Sequence, residues 1–307
     1  MPTMTLERFT SQGLDLDTSA PAFGELESSN AYLGNPERLR ERMREDGYLF
    51  LPGYLVRDEV MAARKVIVDR LAEEGCLDES YPTMDAVAKP GVCGAFRPDM
   101  AANNPPLHKL LYTGRMMDFY AEFLGGEVRH FDFTWMRVVS PGIATPPHCD
   151  IVYMGRGTTN LYTSWTPLGD VTYAMGGLMV LEGSHLHERL RAGYGSKDVD
   201  SYCTNRREAA PNGLGGGGNI RNGGNLSDNP FKLRQRLGGR WLTNEFQAGD
   251  LLIISMYTVH ASLDNHSDRI RLSSDTRYQL ASDPVDERWV GDNPIAHGPD
   301  AKRGMIC

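Results

Sequence analysis

The chain has 307 residues, enough for one large domain or two small ones, and 40% of them are hydrophobic, which excludes a disordered or fibrous protein. A net charge of −8 argues against general nucleic-acid binding. The sequence has neither an apolar run of the about 20 residues that span a bilayer nor the apolar segment of a signal peptide. Its five cysteines are widely spaced and form no CxxC motif, so we expect no disulfide framework, no zinc–thiolate site and a reducing, cytoplasmic location.

The first part of the chain carries the patterns of helices. Residues 1–35 are polar and irregular, and we interpret them as an N-terminal arm. Asn35 followed by Pro36 is typical of a helix start, and Gly47 is expected to follow the end of that helix. The other elements predicted in this part are a strand over 48–51 and helices over 57–74 and 106–124.

From residue 128 onward, alternation of apolar and polar residues predicts strands. They are expected over 128–139, 161–165, 177–181, 240–246, 250–255 and 269–278. The glycine-rich segment 211–225 is expected to form a flexible loop, and residues 283–307 a C-terminal tail that wraps the surface. Helices followed by many short strands predict an α+β chain built around a β-barrel or jelly roll.

The motif His148-Cys149-Asp150 carries the pattern of a metal site. In an extended strand, residues i and i+2 share a face, so His148 and Asp150 are expected to project together while Cys149 points away. An imidazole and a carboxylate are two of the three ligands in the facial sites of non-haem Fe(II) oxygenases. His260, after the strand predicted over 250–255, is the best candidate for the third. On the motif alone, an ordinary structural His–Asp pair remains an alternative.

A second pattern lies eleven residues after His260. Arg271 and Ser273 share one face of a predicted strand, and Ile270 and Leu272 share the other. A polar inner face suits a barrel interior that holds an anionic ligand, because a guanidinium matches a carboxylate with two parallel hydrogen bonds.

These residues resemble, in type and in order, those of the phytanoyl-CoA dioxygenase family of Fe(II)/2-oxoglutarate oxygenases. The resemblance covers roughly residues 38–280 and includes the stretches at 43–49, 176–185 and 249–251. It implies a double-stranded β-helix, which is a jelly roll with helices packed on one sheet. The oxygenase domain would then cover residues 36–282.

The resemblance also implies a role for each matching residue. His148, Asp150 and His260 would bind Fe(II). Arg271 would hold the distal carboxylate of 2-oxoglutarate with help from Ser273. Trp165 matches an aromatic position near the cosubstrate, although a plain core role for it is equally open.

With O2 as the oxidant, the expected reaction hydroxylates, or otherwise oxidises, a C–H bond of a small organic metabolite and releases succinate and CO2. Because Asp150 is present, hydroxylation is favoured over halogenation. We expect a small-molecule substrate and no nucleic-acid or membrane partner, and the sequence carries no signal for an oligomeric state.

Other functions remain open on the sequence. A non-catalytic jelly-roll binding module would be favoured by loss of a ligand or of Arg271, but all four residues are present. A zinc hydrolase could use the same ligands, but it leaves Arg271 and Ser273 without a role. The substrate could be an acyl-CoA thioester, since basic residues between 206 and 240 could meet its charges. His185 and His187 form a second possible metal pair, for which a structural role is the alternative.

Overall fold

The computed structural model of the chain describes residues 8–91, 93–205 and 222–306. Residues 206–221, which hold most of the predicted glycine-rich loop and part of the basic cluster, lie outside the described residues. The helices are α1 Pro36–Asp46, α2 Arg57–Glu73, α3 Pro105–Tyr112, α4 Arg115–Leu124, α5 Ile151–Met154, α6 Glu188–Ala192 and α7 Pro230–Leu237.

Fourteen strands alternate with these helices in the described residues. They are β1 Thr10–Ser11, β2 Leu14–Asp15, β3 Phe23–Glu25, β4 Tyr48–Leu51, β5 Val128–His130, β6 Trp135–Val139, β7 Leu161–Pro167, β8 Leu178–Leu181, β9 Ser201–Cys203, β10 Trp241–Thr243, β11 Leu251–Ser255, β12 His260–Ser262, β13 Arg271–Leu280 and β14 Arg303–Met305.

Two sheets form the centre of the molecule. The larger has the order β4-β11-β7-β13-β5, with β6 also paired to β13, and the smaller has the order β12-β8-β10-β3. Trp165 and Ile254 of the larger sheet share one buried cluster with Val180 and Leu242 of the smaller sheet. The two sheets therefore face each other around a common core, which is the predicted jelly roll.

Helices α1 to α4 cover the outer face of the larger sheet. Leu39, Ile67 and Phe119 from three of them belong to one buried cluster with Leu49 and Ile253 of the strands. In β11 the side chains alternate, so that Ile253 meets the helices while Ile254 meets the smaller sheet. The prediction of helices packed on one sheet is therefore confirmed.

The first helix and the strand after it lie where the sequence patterns predicted them. Asn35 accepts a hydrogen bond from the backbone N–H of Arg38 at 3.1 Å, and Gly47 adopts a φ of 77° after the last turn. These are the cap geometries that Asn and Gly favour. The next element begins at once with Tyr48, as predicted.

Two predicted elements are wrong because each is interrupted. The helix expected over 106–124 is two helices, α3 and α4, because Gly114 between them has φ 51° and ψ −131°, a conformation outside the helical region. The strand expected over 128–139 is β5 and β6, which pair with different parts of β13.

The flanking segments contribute to the core. Strand β3, from the N-terminal region, pairs in parallel with β10 at the edge of the smaller sheet. In the C-terminal region, Arg288 and Trp289 are buried, so the expectation that this tail only wraps the surface is wrong.

The cysteine count indicated no disulfide framework, yet the structure bonds Cys76 to Cys93, with Cα atoms 5.8 Å apart. The wide spacing of the cysteines along the sequence therefore did not reveal the pair that the fold brings together. The described part of the chain contains no helix with the length and apolar character needed to cross a membrane.

Candidate active site

His148 and His260 lie opposite each other on neighbouring stretches of chain. The backbone N–H of each donates to the carbonyl of the other at 3.0 Å, and the ring centroids are 4.2 Å apart. His260 is the first residue of β12. The sequence had placed these residues 112 positions apart, and the pairing of the two segments brings the rings into contact.

Both imidazoles are oriented by their Nδ1 atoms. Nδ1 of His148 lies 2.8 Å from the carbonyl oxygen of Pro146, and Nδ1 of His260 lies 3.0 Å from that of Thr258. A carbonyl can only accept, so each Nδ1 carries a proton, and Nε2 is the ring nitrogen that each histidine can offer to a metal. Burial and the adjacent His260 lower the pKa of His148 to about 3. The His148 ring is therefore neutral at physiological pH, as a metal ligand must be.

Asp150 completes the cluster. It has helical backbone angles and precedes α5, so the expectation of an extended His-x-Asp stretch is wrong, although Cys149 does point away into the core. Oδ1 of Asp150 lies 3.7 Å from Nε2 of His148 and 3.7 Å from Nε2 of His260. Two ligand atoms each about 2.1 Å from one metal are at most about 4.2 Å apart, so both pairs fit a single ion.

The other carboxylate oxygen of Asp150 faces away from the imidazoles. Oδ2 accepts a hydrogen bond from Nη2 of Arg277 at 2.8 Å and another from the hydroxyl of Thr163. Burial alone would raise the pKa of Asp150, but the charge of Arg277, together with the hydrogen bond from Thr163, outweighs it and holds this pKa far below its usual range. The carboxylate is therefore ionised and ready to bind a cation.

Within the described residues, these three side chains are the only group of His, Cys, Asp and Glu close enough to share a metal ion. His185 and His187, the alternative metal pair, instead form hydrogen bonds with backbone groups. Nε2 of His185 donates to the carbonyl of Arg44 at 3.0 Å, and Nδ1 of His187 accepts from the N–H of Leu190 at the start of α6.

Arg271 lies beside the cluster, and its guanidinium forms no ion pair with a carboxylate of the described residues. It is 1% exposed, its Nη1 donates to Oγ of Ser273 at 2.9 Å, and its Nε has no partner among the described residues. Burial lowers its pKa to about 10. A buried guanidinium with unused donors requires an anion, and a carboxylate fits its fork.

Trp165 lines the same narrow cavity as Arg271, His148 and His260. It also packs edge-on against Phe246, with ring centroids 4.7 Å apart. Trp165 is therefore part of the core, and its role beside the cosubstrate stays a prediction.

A larger cavity of about 460 Å³ also adjoins the cluster, since His148 lines both cavities. His148, Asp150 and Arg277 lie at one side of it, and aromatic rings, including those of Trp135 and Trp289, form much of the wall. Phe96, Phe133, Asn225 and His297 also line this cavity.

The sequence did not predict the residues from the C-terminal segment. Arg288 is fully buried and donates to Asp200 at 2.7 Å and to Asp286, and Nδ1 of His297 lies 2.8 Å from Asp200. This network fixes Trp289 and His297 against the cavity. No motif marks these residues, whereas Arg277 had a signal, since it continues the alternation of Arg271 and Ser273 along β13.

A jelly roll with two histidines and one carboxylate at its centre, and an unpaired buried arginine beside them, defines a non-haem iron oxygenase that uses an anionic cosubstrate. The comparisons agree. The family model for phytanoyl-CoA dioxygenase matches residues 43–273, and the chain belongs to this family.

Several known proteins are similar along nearly the whole chain. 1-Deoxypentalenic acid 11-beta-hydroxylase of Streptomyces exfoliatus is 25% identical over 298 residues, covering 89% of this chain and 91% of the relative. The crystal structure of the non-heme alpha ketoglutarate dependent carbocyclase SnoK from nogalamycin biosynthesis has a TM-score of 0.58 at 19% identity, covering 85% of this chain and 90% of that one. EctD from S. alaskensis, with 2-oxoglutarate and 5-hydroxyectoine, has a TM-score of 0.55 at 16% identity, covering 99% and 98%.

The protein is therefore a non-haem Fe(II)- and 2-oxoglutarate-dependent dioxygenase that oxidises a C–H bond of a small organic molecule with O2 and releases succinate and CO2. The family, the fold class, the enzyme class and the cofactors predicted from the sequence are confirmed.

Proposed function

We propose that Fe(II) is bound by Nε2 of His148, Nε2 of His260 and Oδ1 of Asp150. The observation that carries this proposal is the convergence of three potential ligand atoms, because the Nε2 atoms of both imidazoles lie 3.7 Å from one carboxylate oxygen. Three ligands from one face of an octahedral ion leave three positions for the cosubstrate and O2. When bound, iron supplies the centre at which 2-oxoglutarate and O2 react and oxygen is delivered to a C–H bond.

The cosubstrate site is assigned to Arg271. Its guanidinium is buried next to the imidazoles and has no carboxylate counterion among the described residues. The distal carboxylate of 2-oxoglutarate would supply that counterion. Ser273 orients the guanidinium through its hydrogen bond with Nη1, and Trp165 forms one wall of the narrow cavity. Arg271 and Ser273 thus bind and orient the cosubstrate, and Trp165 excludes water from it.

The substrate is assigned to the cavity of about 460 Å³. Because much of the cavity wall is aromatic, the proposed substrate is mainly apolar. Trp135, Phe133 and Trp289 supply aromatic wall, and their ring centroids lie 4.6–5.3 Å apart. Such a wall holds a hydrocarbon surface through burial rather than through hydrogen bonds. The similarity to a hydroxylase of 1-deoxypentalenic acid supports hydroxylation of an organic substrate as the reaction.

An acyl-CoA thioester remains the second candidate substrate. Only its acyl chain suits an apolar cavity of this size, so the charged nucleotide would lie outside. Two of the basic residues proposed to meet it are already paired, Arg240 with Glu182 at 2.7 Å and Arg234 with Asp17 at 3.6 Å. These pairs favour the smaller substrate.

We assign the activity to residues 36–282 together with both flanking segments, because β3 completes the smaller sheet and Trp289 lines the cavity. The cytoplasm is the proposed location, since 2-oxoglutarate is a metabolite of that compartment. The thiols of Cys76 and Cys93 would be kept reduced there.

The test begins with the full chain under anaerobic conditions. Addition of Fe(II) and then 2-oxoglutarate should produce a weak visible charge-transfer band, which His148→Ala should lack. Small apolar molecules and acyl-CoA thioesters are then compared as stimulants of succinate release in the presence of O2. Absence of the band in the wild-type chain would contradict the ligand assignment, and a zinc hydrolase would show no such band. Stimulation by thioesters alone would contradict the substrate assignment.

A further inference from the structure

Two hydrogen-bond donors contact Oδ2 of Asp150, the carboxylate oxygen that faces away from the imidazoles. Arg277 donates from Nη2 to Oδ2 at 2.8 Å and from Nε to the hydroxyl oxygen of Thr163 at 3.2 Å, and that hydroxyl donates to the same Oδ2. The three side chains therefore form a closed set of hydrogen bonds, which we call the Asp150 clamp. Oδ1 remains on the side of the two imidazoles.

The clamp is part of the larger sheet. Arg277 of β13 lies directly opposite Thr163 of β7 in the strand register. The Arg277 side chain is 2% exposed, and its guanidinium carbon lies 4.0 Å from the centre of the Trp135 ring. Strand pairing and a cation–π contact thus hold both donors in place beside the carboxylate.

We propose that Arg277 is a positioning residue that makes Asp150 a one-oxygen ligand and so reserves a metal position for the cosubstrate. This inference rests on the proposed function. A free carboxylate can bind a metal through one oxygen or through both. If Oδ2 turned toward the metal, it would occupy a position that the two donor oxygens of 2-oxoglutarate need. The two donors on Oδ2 prevent that turn.

A purely structural role for Arg277 has different consequences. The guanidinium would then only compensate the buried charge of Asp150, and its loss would lower stability without changing how the carboxylate meets the metal. The coordination spectrum and the ratio of metal affinity to cosubstrate affinity separate the two roles.

The experiment uses the full chain and Co(II), whose visible absorption reports the number and arrangement of its ligands. Arg277→Met is expected to bind Co(II) with an altered spectrum and to weaken 2-oxoglutarate binding about 10–100-fold, the range typical of lost support for a metal ligand. Arg277→Lys keeps one charged donor and should restore part of that loss. Thr163→Val removes the other donor on Oδ2, and Thr163→Ser, which keeps the hydroxyl, is its matched control.

The inference is overturned if Arg277→Met and Thr163→Val both keep the wild-type Co(II) spectrum and the wild-type affinity for 2-oxoglutarate. If Arg277→Met does not fold, as judged by circular dichroism, the comparison of Thr163→Val with Thr163→Ser decides. Failure of the wild-type chain to bind Co(II) and 2-oxoglutarate together would instead refute the proposed function, and the inference would fall with it.

Discussion

Replacement of Arg271 by Met should have opposite effects on stability and on cosubstrate binding. Burial lowers the pKa of Arg271 from 12.5 to about 10. Since one pKa unit corresponds to about 1.4 kcal/mol, the uncompensated charge costs the folded protein about 3 kcal/mol at neutral pH. The sign follows from the lowered pKa, because the charged form is the one that burial disfavours.

Methionine fills a similar volume without the charge. Arg271→Met should therefore be at least as stable as the wild-type chain when no ligand is present. It should also bind 2-oxoglutarate about 100-fold more weakly, because truncating one partner of a buried, hydrogen-bonded charge pair costs about 2–5 kcal/mol, and about 3 kcal/mol corresponds to two powers of ten in Kd. Ser273 would lose its guanidinium partner, which lies 2.9 Å away. Metal affinity should change little, since Arg271 does not contact the three ligands.

The assay is a titration of 2-oxoglutarate into the anaerobic Fe(II)-loaded protein, combined with thermal unfolding with and without the cosubstrate. Arg269→Met is the matched control, because Arg269 lies two residues earlier, has a side chain 45% exposed and approaches Asp85 at 3.7 Å. Wild-type affinity in Arg271→Met, or the loss of affinity in Arg269→Met instead, would refute the assignment.

Three further predictions concern other parts of the molecule. His260→Ala should abolish Fe(II) binding, measured by anaerobic titration, while His187→Ala should bind Fe(II) normally; full activity of the first variant would contradict the triad. Burial would raise the pKa of Asp200, but His297 and Lys302 lower it below its usual range. The stability that Asp200 contributes should therefore be complete above about pH 4 and lost as the pH falls further, with a shallower loss in Asp200→Asn on thermal unfolding. Mild oxidation should protect Cys76 and Cys93 from alkylation together and leave Fe(II) binding unchanged, because Cys76 lies in the helical layer; protection of one alone would exclude their pairing.

Several features of this protein follow from short stretches of sequence. Asn35 and Gly47 bound α1 because a side-chain cap and a positive φ act within a few residues. The alternation in β13 places Arg271 and Ser273 on the inner face because the period of a strand is two. These patterns, with the order of His148, Asp150 and His260, predicted the fold class and the candidate metal ligands.

Other features depend on contacts between distant segments. Gly114 divides a predicted helix because the chain must turn there to pack α4 beside α1, and nothing in the apolar spacing records that turn. The bond between Cys76 and Cys93 likewise requires the loop after α2 to fold back.

The active site likewise contains residues that the local sequence predicted and residues that only contacts between distant segments placed there. The sequence predicted the three candidate metal ligands that the structure brings together, because their chemistry is specific. The clamp on Asp150 became visible only when strand register placed Arg277 opposite Thr163. Trp289 reached the cavity only because Arg288 is bound by carboxylates from a segment about 90 residues earlier. Local patterns determined which segments form helices and strands. Long-range pairing and buried charge decided which side chains surround the candidate metal ligands.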